Sequence, residues 1–155
     1  MKITDELLLL TDAFARHHVN YAVCGGLAVV IHGRPRLTLD IDFLVPSNEM
    51  DQAIQAAESA GFDDVAGWII LPSNDNGIDR LFRINKIQHG DLLSLDLLEV
   101  NRAENPIFLD RESYEVEGRS VQLLSRASLI KMKLGSNRLK DQLDVELLSD
   151  QADER

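Results

Sequence analysis

The segment Cys24-Gly-Gly-Leu-Ala-Val-Val-Ile-His-Gly-Arg-Pro-Arg-Leu-Thr-Leu-Asp-Ile-Asp-Phe-Leu-Val45 decides how the chain is read. It opens on the pair Gly25-Gly26, runs through an apolar stretch to His32, breaks at Gly33 and Pro35, and ends in the alternation of Leu39, Asp40, Ile41, Asp42 and Phe43. Alternate residues of a strand share a face. Leu39, Ile41, Phe43 and Val45 thus form an apolar face. Asp40 and Asp42 stand on the other, about 7 Å apart at roughly 3.3 Å per residue. Two like charges at that spacing raise each other's pKa. A divalent cation relieves the repulsion, and Mg²⁺ (or Mn²⁺) suits a site of few carboxylates completed by water and substrate phosphates.

Just upstream, Tyr21 to Cys24 is a short apolar run that reads as a strand. Gly25 and Gly26 permit a sharp turn and close backbone approach, and Leu27 to His32 reads as the first turns of a helix. Backbone N–H groups at such a turn form a natural phosphate cradle. A phosphate site therefore directly precedes a metal-binding pair, with Arg36 and Thr38 between them.

Outward from this centre, Asp5 to His18 reads as a helix with Leu7, Leu8, Leu10, Phe14 and Ala15 on one stripe, started by Thr4 or Asp5. Ser47 or Asn48 is expected to cap a helix from Glu49 to Ala60, ended by Gly61. A short strand is expected within Asp63 to Leu71. Asp79 to Ile87 and Leu92 to Val100 read as a hairpin turning at His89-Gly90, and Ser113 to Leu124 as a second hairpin turning at Glu117-Gly118. Asn101 to Asp110 is irregular. Ser125 caps a helix to Leu134, Gly135 to Asn137 breaks it, and a last helix runs from Arg138 to Leu148, followed by an acidic, fraying tail.

The last strand of the first hairpin carries Asp96 inside the run Leu92-Leu-Ser-Leu-Asp-Leu-Leu98. A carboxylate in so apolar a setting is costly without a partner, whether a metal, a backbone N–H or an arginine.

The 155 residues specify one domain (core 20–124, C-terminal helices 125–149), of ordinary globular composition, with 45% apolar and 27% charged residues. No apolar run reaches membrane-spanning length and no secretory leader is evident, so the expected location is cytoplasmic with no membrane partner. The lone Cys24 excludes an internal disulfide and a cysteine-rich zinc site. A net charge of −10 argues against extended DNA binding, since that rests on phosphate neutralisation. Local basic clusters at Arg34/Arg36, Arg80/Arg83/Lys86 and Lys131/Lys133/Arg138/Lys140 remain able to focus a triphosphate.

Gly25-Gly26, then Arg36-x-Thr38-x-Asp40-Ile41-Asp42 on a strand, resembles the polymerase β-like nucleotidyltransferase superfamily, in particular small bacterial transferases of the AbiEii and MenT toxin type. The stretch from Lys133 through Arg138-Leu-Lys140-Asp141-Gln-Leu-Asp144 resembles the C-terminal signature of that group. The resemblance spans roughly Tyr21 to Leu148. It implies an α/β (α+β) fold: a mixed sheet of about five strands flanked by helices, with a C-terminal helical pair. It implies that Asp96 completes a metal triad with Asp40 and Asp42, and that Lys133 reaches a nucleotide phosphate and is oriented by Asp141. Gly25, Gly26, Arg36 and Thr38 would assist nucleotide binding. Gly26 stands where many members have serine, so only backbone donors remain there.

The expected activity is Mg²⁺-dependent transfer of an NMP from an NTP to an RNA 3′ end (tRNA among them), a protein hydroxyl or a small molecule. The expected role is in a toxin–antitoxin or phage-defence pair, with an antitoxin as partner. The alternatives are a catalytically degenerate nucleotide-binding or protein-interaction module of the same fold, and a kinase-like or antibiotic-modifying enzyme. Nucleotide binding without turnover separates the first alternative, and the mass added to the product separates the second.

Overall fold

The computed structural model describes residues 1–34, 36–134 and 138–153, with side chains as far as Ser149. Gly135 to Asn137 and Pro35, expected above as breaks, lie outside the described residues. The chain runs α1 (Ile3–Arg16), β1 (Ala22–Cys24), α2 (Gly25–Ile31), β2 (Asp40–Pro46), a 3₁₀ turn at Ser47–Glu49, α3 (Met50–Ser59), β3 (Asp64–Ile70), β4 (Ile78–Gln88) and β5 (Asp91–Val100). It continues through α4 (Pro106–Leu109), β6 (Arg111–Val116), β7 (Arg119–Leu124), α5 (Arg126–Lys133) and α6 (Leu139–Asp153).

The strands form a single mixed sheet of seven, in the order β3-β4-β5-β2-β1-β7-β6. β2 lies parallel to β5 and antiparallel to β1. The expected five strands become seven because β1, only three residues long, also pairs in parallel with β7 at Val23 and Leu123. That contact fuses the second hairpin to the main sheet. Both hairpins form at the turns read from the sequence, each with a non-glycine residue at positive φ before its glycine, His89 (φ 53°) and Glu117 (φ 49°).

Ile41, Phe43, Leu95 and Leu97 are fully buried on one face of the central strands. Phe14 of α1 meets Phe43 edge-on at 5.1 Å, and Tyr21 stacks on Phe43 at 4.9 Å. α3 packs beside α1 through Ala53, Ala56 and Ala57, whose small side chains bring the helix close. Gly61, at φ +93°, ends α3, with its N–H on Glu58 O and that of Phe62 on Ala57 O.

Several boundaries differ from expectation. α1 begins at Ile3 with Lys2 at its cap, so Thr4 and Asp5 lie within its first turn. Ser47 donates to Asn101 O at 2.9 Å and caps no helix. The Asn101–Asp110 segment contains the turn of α4, capped by Asn105 accepting from Ile107 N. α6 continues to Asp153, where a frayed tail was expected. Ser125 does cap α5, accepting from Ser128 N. No helix among the described residues is long and apolar enough to cross a membrane.

Candidate active site

The parallel pairing of β2 with β5 sets Asp42 beside Asp96 and Asp40 beside Ser94. The antiparallel pairing of β5 with β4 then sets Asp96 beside Arg83 and Ser94 beside Asn85. Partners in register project to the same face, so two polar rows cross the sheet on the face opposite Phe43. In the first, Arg83 grips Asp96 in a fork, Nε to Oδ1 at 2.8 Å and Nη2 to Oδ2 at 2.9 Å. In the second, Ser94 Oγ donates to Asn85 Oδ1 at 2.7 Å, and Asn85 Nδ2 donates to Asp64 Oδ2 at 3.1 Å.

Asp42 is the electrostatically strained member. Burial first, then the charges of Asp96 and Asp40, push its pKa from 3.8 up to about 7, against a smaller pull from Lys133 and Lys140. Cys24, the register partner of Asp42 on β1, is fully buried, and burial together with the Asp42 charge raises its thiol pKa well above the usual value. It is an inert, protonated packing group.

The glycine turn closes on this face. α2 begins at Gly25 with no loop after β1. Gly25 sits at φ +66°, and a Cβ there would lie 2.1 Å from Asp42 Oδ2. A Cβ at Gly26 would lie 1.7 Å from Arg36 Nη1 and 3.1 Å from Thr38 Oγ1. The cradle read from the sequence is thus lined by the Asp42 carboxylate, the Arg36 guanidinium and the Thr38 hydroxyl, which donates to Asp40 O at 3.3 Å.

The C-terminal helices close the other side. Asp144, 1% exposed, forms ion pairs with Arg36 Nε at 2.7 Å and Lys133 Nζ at 2.9 Å. Lys133 also reaches Asp141 Oδ1 at 3.1 Å, and Arg138 Nε donates to Asp141 Oδ2 at 2.8 Å. Asp141 does hold Lys133, but Asp144 is the acid that ties both α5 and the glycine turn to α6. A cavity of about 500 Å³ opens beside this knot, lined by Arg36, Leu37, Lys140, Leu143, Asp144 and Leu147. Another of about 530 Å³ lies among Thr11, Asp12, Tyr21, Arg111, Arg119 and Gln122 and holds none of the residues above.

Asp40, Asp42 and Asp96 fit a divalent ion in chemistry: three carboxylates on one face, with Asp42 destabilised by the other two. They do not yet fit in arrangement. Among the described residues no three His, Cys, Asp or Glu side chains are grouped to hold a metal ion as they stand, and Asp96 is turned to Arg83.

No family model matches the sequence, and no curated protein does. Solved structures do. The lincosamide antibiotic adenylyltransferase LnuA, lincomycin-bound, superposes with a TM-score of 0.62 at 19% identity, over 94% of this chain and 95% of that one. ANT(2'')-Ia in complex with adenylyl-2''-tobramycin gives 0.61 at 16% identity, over 98% and 90%. JHP933 from Helicobacter pylori gives 0.55 at 16% identity, over 99% and 69%. The chain has a nucleotidyltransferase fold. At these identities the likeness establishes the fold alone.

Within that fold, three participants were missed in the sequence. Arg83 was noted only as part of a basic cluster, although the His89-Gly90 turn fixes a register that sets it opposite Asp96. Asp144 enters the sequence reading only as the last acid of the C-terminal signature, with no role of its own. Lys140 enters the sequence reading as part of a basic cluster and of the C-terminal signature, with no role of its own.

Proposed function

We propose that the chain is a nucleotidyltransferase that moves an NMP from an NTP to a hydroxyl acceptor. The observation that carries this reading is the register of Asp42 with Asp96, with Asp40 on the same face and the Gly25-Gly26 turn packed against Asp42. Asp40 and Asp42 would hold Mg²⁺ or Mn²⁺, with Asp96 as third carboxylate. A bound ion would supply charge neutralisation to the triphosphate and activation to the attacking oxygen. The backbone at Gly25 and Gly26 receives phosphate oxygens. Lys133, positioned by Asp141 and Asp144, places a positive charge near Asp42, and Arg36 and Thr38 border the same cradle. Positioning and fixed charge dominate such catalysis, because the transferred group needs little covalent help from the protein.

The acceptor is an RNA 3′ end, a protein hydroxyl or a small molecule. Two antibiotic adenylyltransferases matched over nearly their full length favour the small molecule. The Lys133…Arg138-x-Lys140-Asp141-x-x-Asp144 pattern supports the AbiEii/MenT-type branch, with a cytoplasmic toxin-like role and an antitoxin partner.

Thermal shift with each NTP, with and without Mg²⁺, tests the reading on wild type and Asp42→Asn. One NTP at 100 times its Kd should stabilise wild type by about 2.7 kcal/mol, only with Mg²⁺, and the shift should be lost in the variant. Product mass should then show a nucleotide monophosphate added to the acceptor. No response to any NTP would overturn the assignment. The Arg83–Asp96 fork favours a second reading, an inert nucleotide-binding module, which predicts binding with no transfer to any acceptor.

A further inference from the structure

Arg83 belongs to the candidate site by position but to none of the roles assigned above. Its register partner is Asp96, whose own partner across β2 is Asp42, so one row of three side chains joins the guanidinium to two carboxylates. The two ends of the ion pair differ in exposure: the Asp96 side chain is 6% exposed and that of Arg83 is 38%. The acid is fixed in the sheet, and the arginine is the partner free to move. Its fork occupies Nε and Nη2, leaving further N–H groups on its exposed side.

A divalent ion at Asp40 and Asp42 would repel the guanidinium and attract the Asp96 carboxylate. A triphosphate arriving on that ion would attract the guanidinium, and the planar fork matches phosphate oxygens as well as it matches a carboxylate. Both changes favour the same exchange of partners.

We propose that Arg83 is a nucleotide-contacting residue that grips Asp96 in the free protein and exchanges it for phosphate oxygens of the bound NTP, releasing Asp96 to complete the metal triad. The inference rests on the nucleotidyltransferase reading and assigns the third acid a state that depends on substrate. It accounts for three carboxylates that share a face yet, among the described residues, are not grouped to hold a metal.

The test measures two affinities on the full chain: Mn²⁺ without nucleotide, by electron paramagnetic resonance, and a non-hydrolysable NTP in Mg²⁺, by calorimetry. In Arg83→Gln, Asp96 loses its competitor. Mn²⁺ should bind about tenfold tighter, the size expected when one opposite charge near a carboxylate is removed. The NTP analogue should bind 10- to 100-fold weaker, the range for losing charge-assisted bonds to phosphate. Arg83→Lys keeps the charge without the fork and should recover part of the nucleotide affinity. Opposite signs for the two affinities are the signature. An arginine that merely holds the sheet together would weaken both or leave Mn²⁺ unchanged, and either result overturns the inference. If neither protein binds any NTP while Mn²⁺ binding tightens in the variant, the nucleotide half of the exchange is wrong, and the nucleotidyltransferase reading fails with it. Should the glutamine variant not fold, Arg83→Met, also uncharged and similar in length, supplies both measurements.

Discussion

Replacing Asp42 with asparagine should make the protein more stable at neutral pH and leave it unchanged in acid. In the folded chain the Asp42 pKa is about 7, against 3.8 ordinarily. Between those values the native state holds a proton that the unfolded chain releases, so stability falls as pH rises through this window. Below pH 3.8 both states are protonated and the term vanishes; above 7 both are ionised and the penalty is constant. Three pH units at 1.36 kcal/mol each set its ceiling at about 4 kcal/mol. Asparagine has the same shape and no charge, so the variant should show no such slope from this position. For a chain of this size the gain corresponds to a melting temperature higher by roughly 10 °C at pH 8. The assay is a series of melts in chelator from pH 4 to 8, followed as the difference between the two proteins. A difference that stays constant with pH would refute the assignment of strain to this carboxylate. Adding Mg²⁺ at pH 8 should narrow the gap from the wild-type side, because the bound ion offsets the same repulsion.

Two further changes probe the surroundings of Asp42. Gly25→Ala should destabilise by at least about 1–2 kcal/mol, since φ +66° is disfavoured for alanine and the new methyl collides with the Asp42 carboxylate. Gly26→Ala lies in a helix at ordinary φ, but its methyl meets the flexible end of Arg36 and the Thr38 hydroxyl, so urea unfolding should show a smaller loss than at Gly25; equal losses would mean the glycine pair is not held as described. Asp144→Ala removes the buried acid from Arg36 while Lys133 keeps Asp141, and should cost about 3 kcal/mol by the same measurement. A loss below about 1 kcal/mol would mean that both cations regain water without disturbing α6.

The strands that matter most for the site announce themselves locally. The alternation in Leu39 to Val45 needs no partner to be read, and the His89-Gly90 turn fixes a register by itself. Asp96 stands out because a charge among leucines demands an explanation. What the sequence hides is whatever depends on pairing between distant segments. One parallel contact between Val23 and Leu123 decides whether the second hairpin joins the sheet, and no local signal reports it. Arg83 differs: its pairing with Asp96 is local to the hairpin and follows from the turn once the two strands are counted back residue by residue. Asp144 reads as a helix-face acid until Arg36, over a hundred residues earlier, is brought onto it. The caps at Thr4 and Ser47 failed for a smaller reason, that neighbouring residues extended or rerouted the helix start.

The direct passage from Cys24, the last residue of β1, into Gly25, the first of α2, leaves no slack in the chain at the point where cradle and carboxylate meet. Such a joint works as a ruler. One residue inserted between Val23 and Leu27 would lengthen the path by about 3 Å and turn the following glycine away from Asp42. One residue added at the exposed His89-Gly90 tip would be absorbed in solvent. Libraries of single insertions and deletions should therefore tolerate length changes at hairpin tips and reject them at this junction, so that tolerance to changes in length, more than tolerance to substitution, outlines the site.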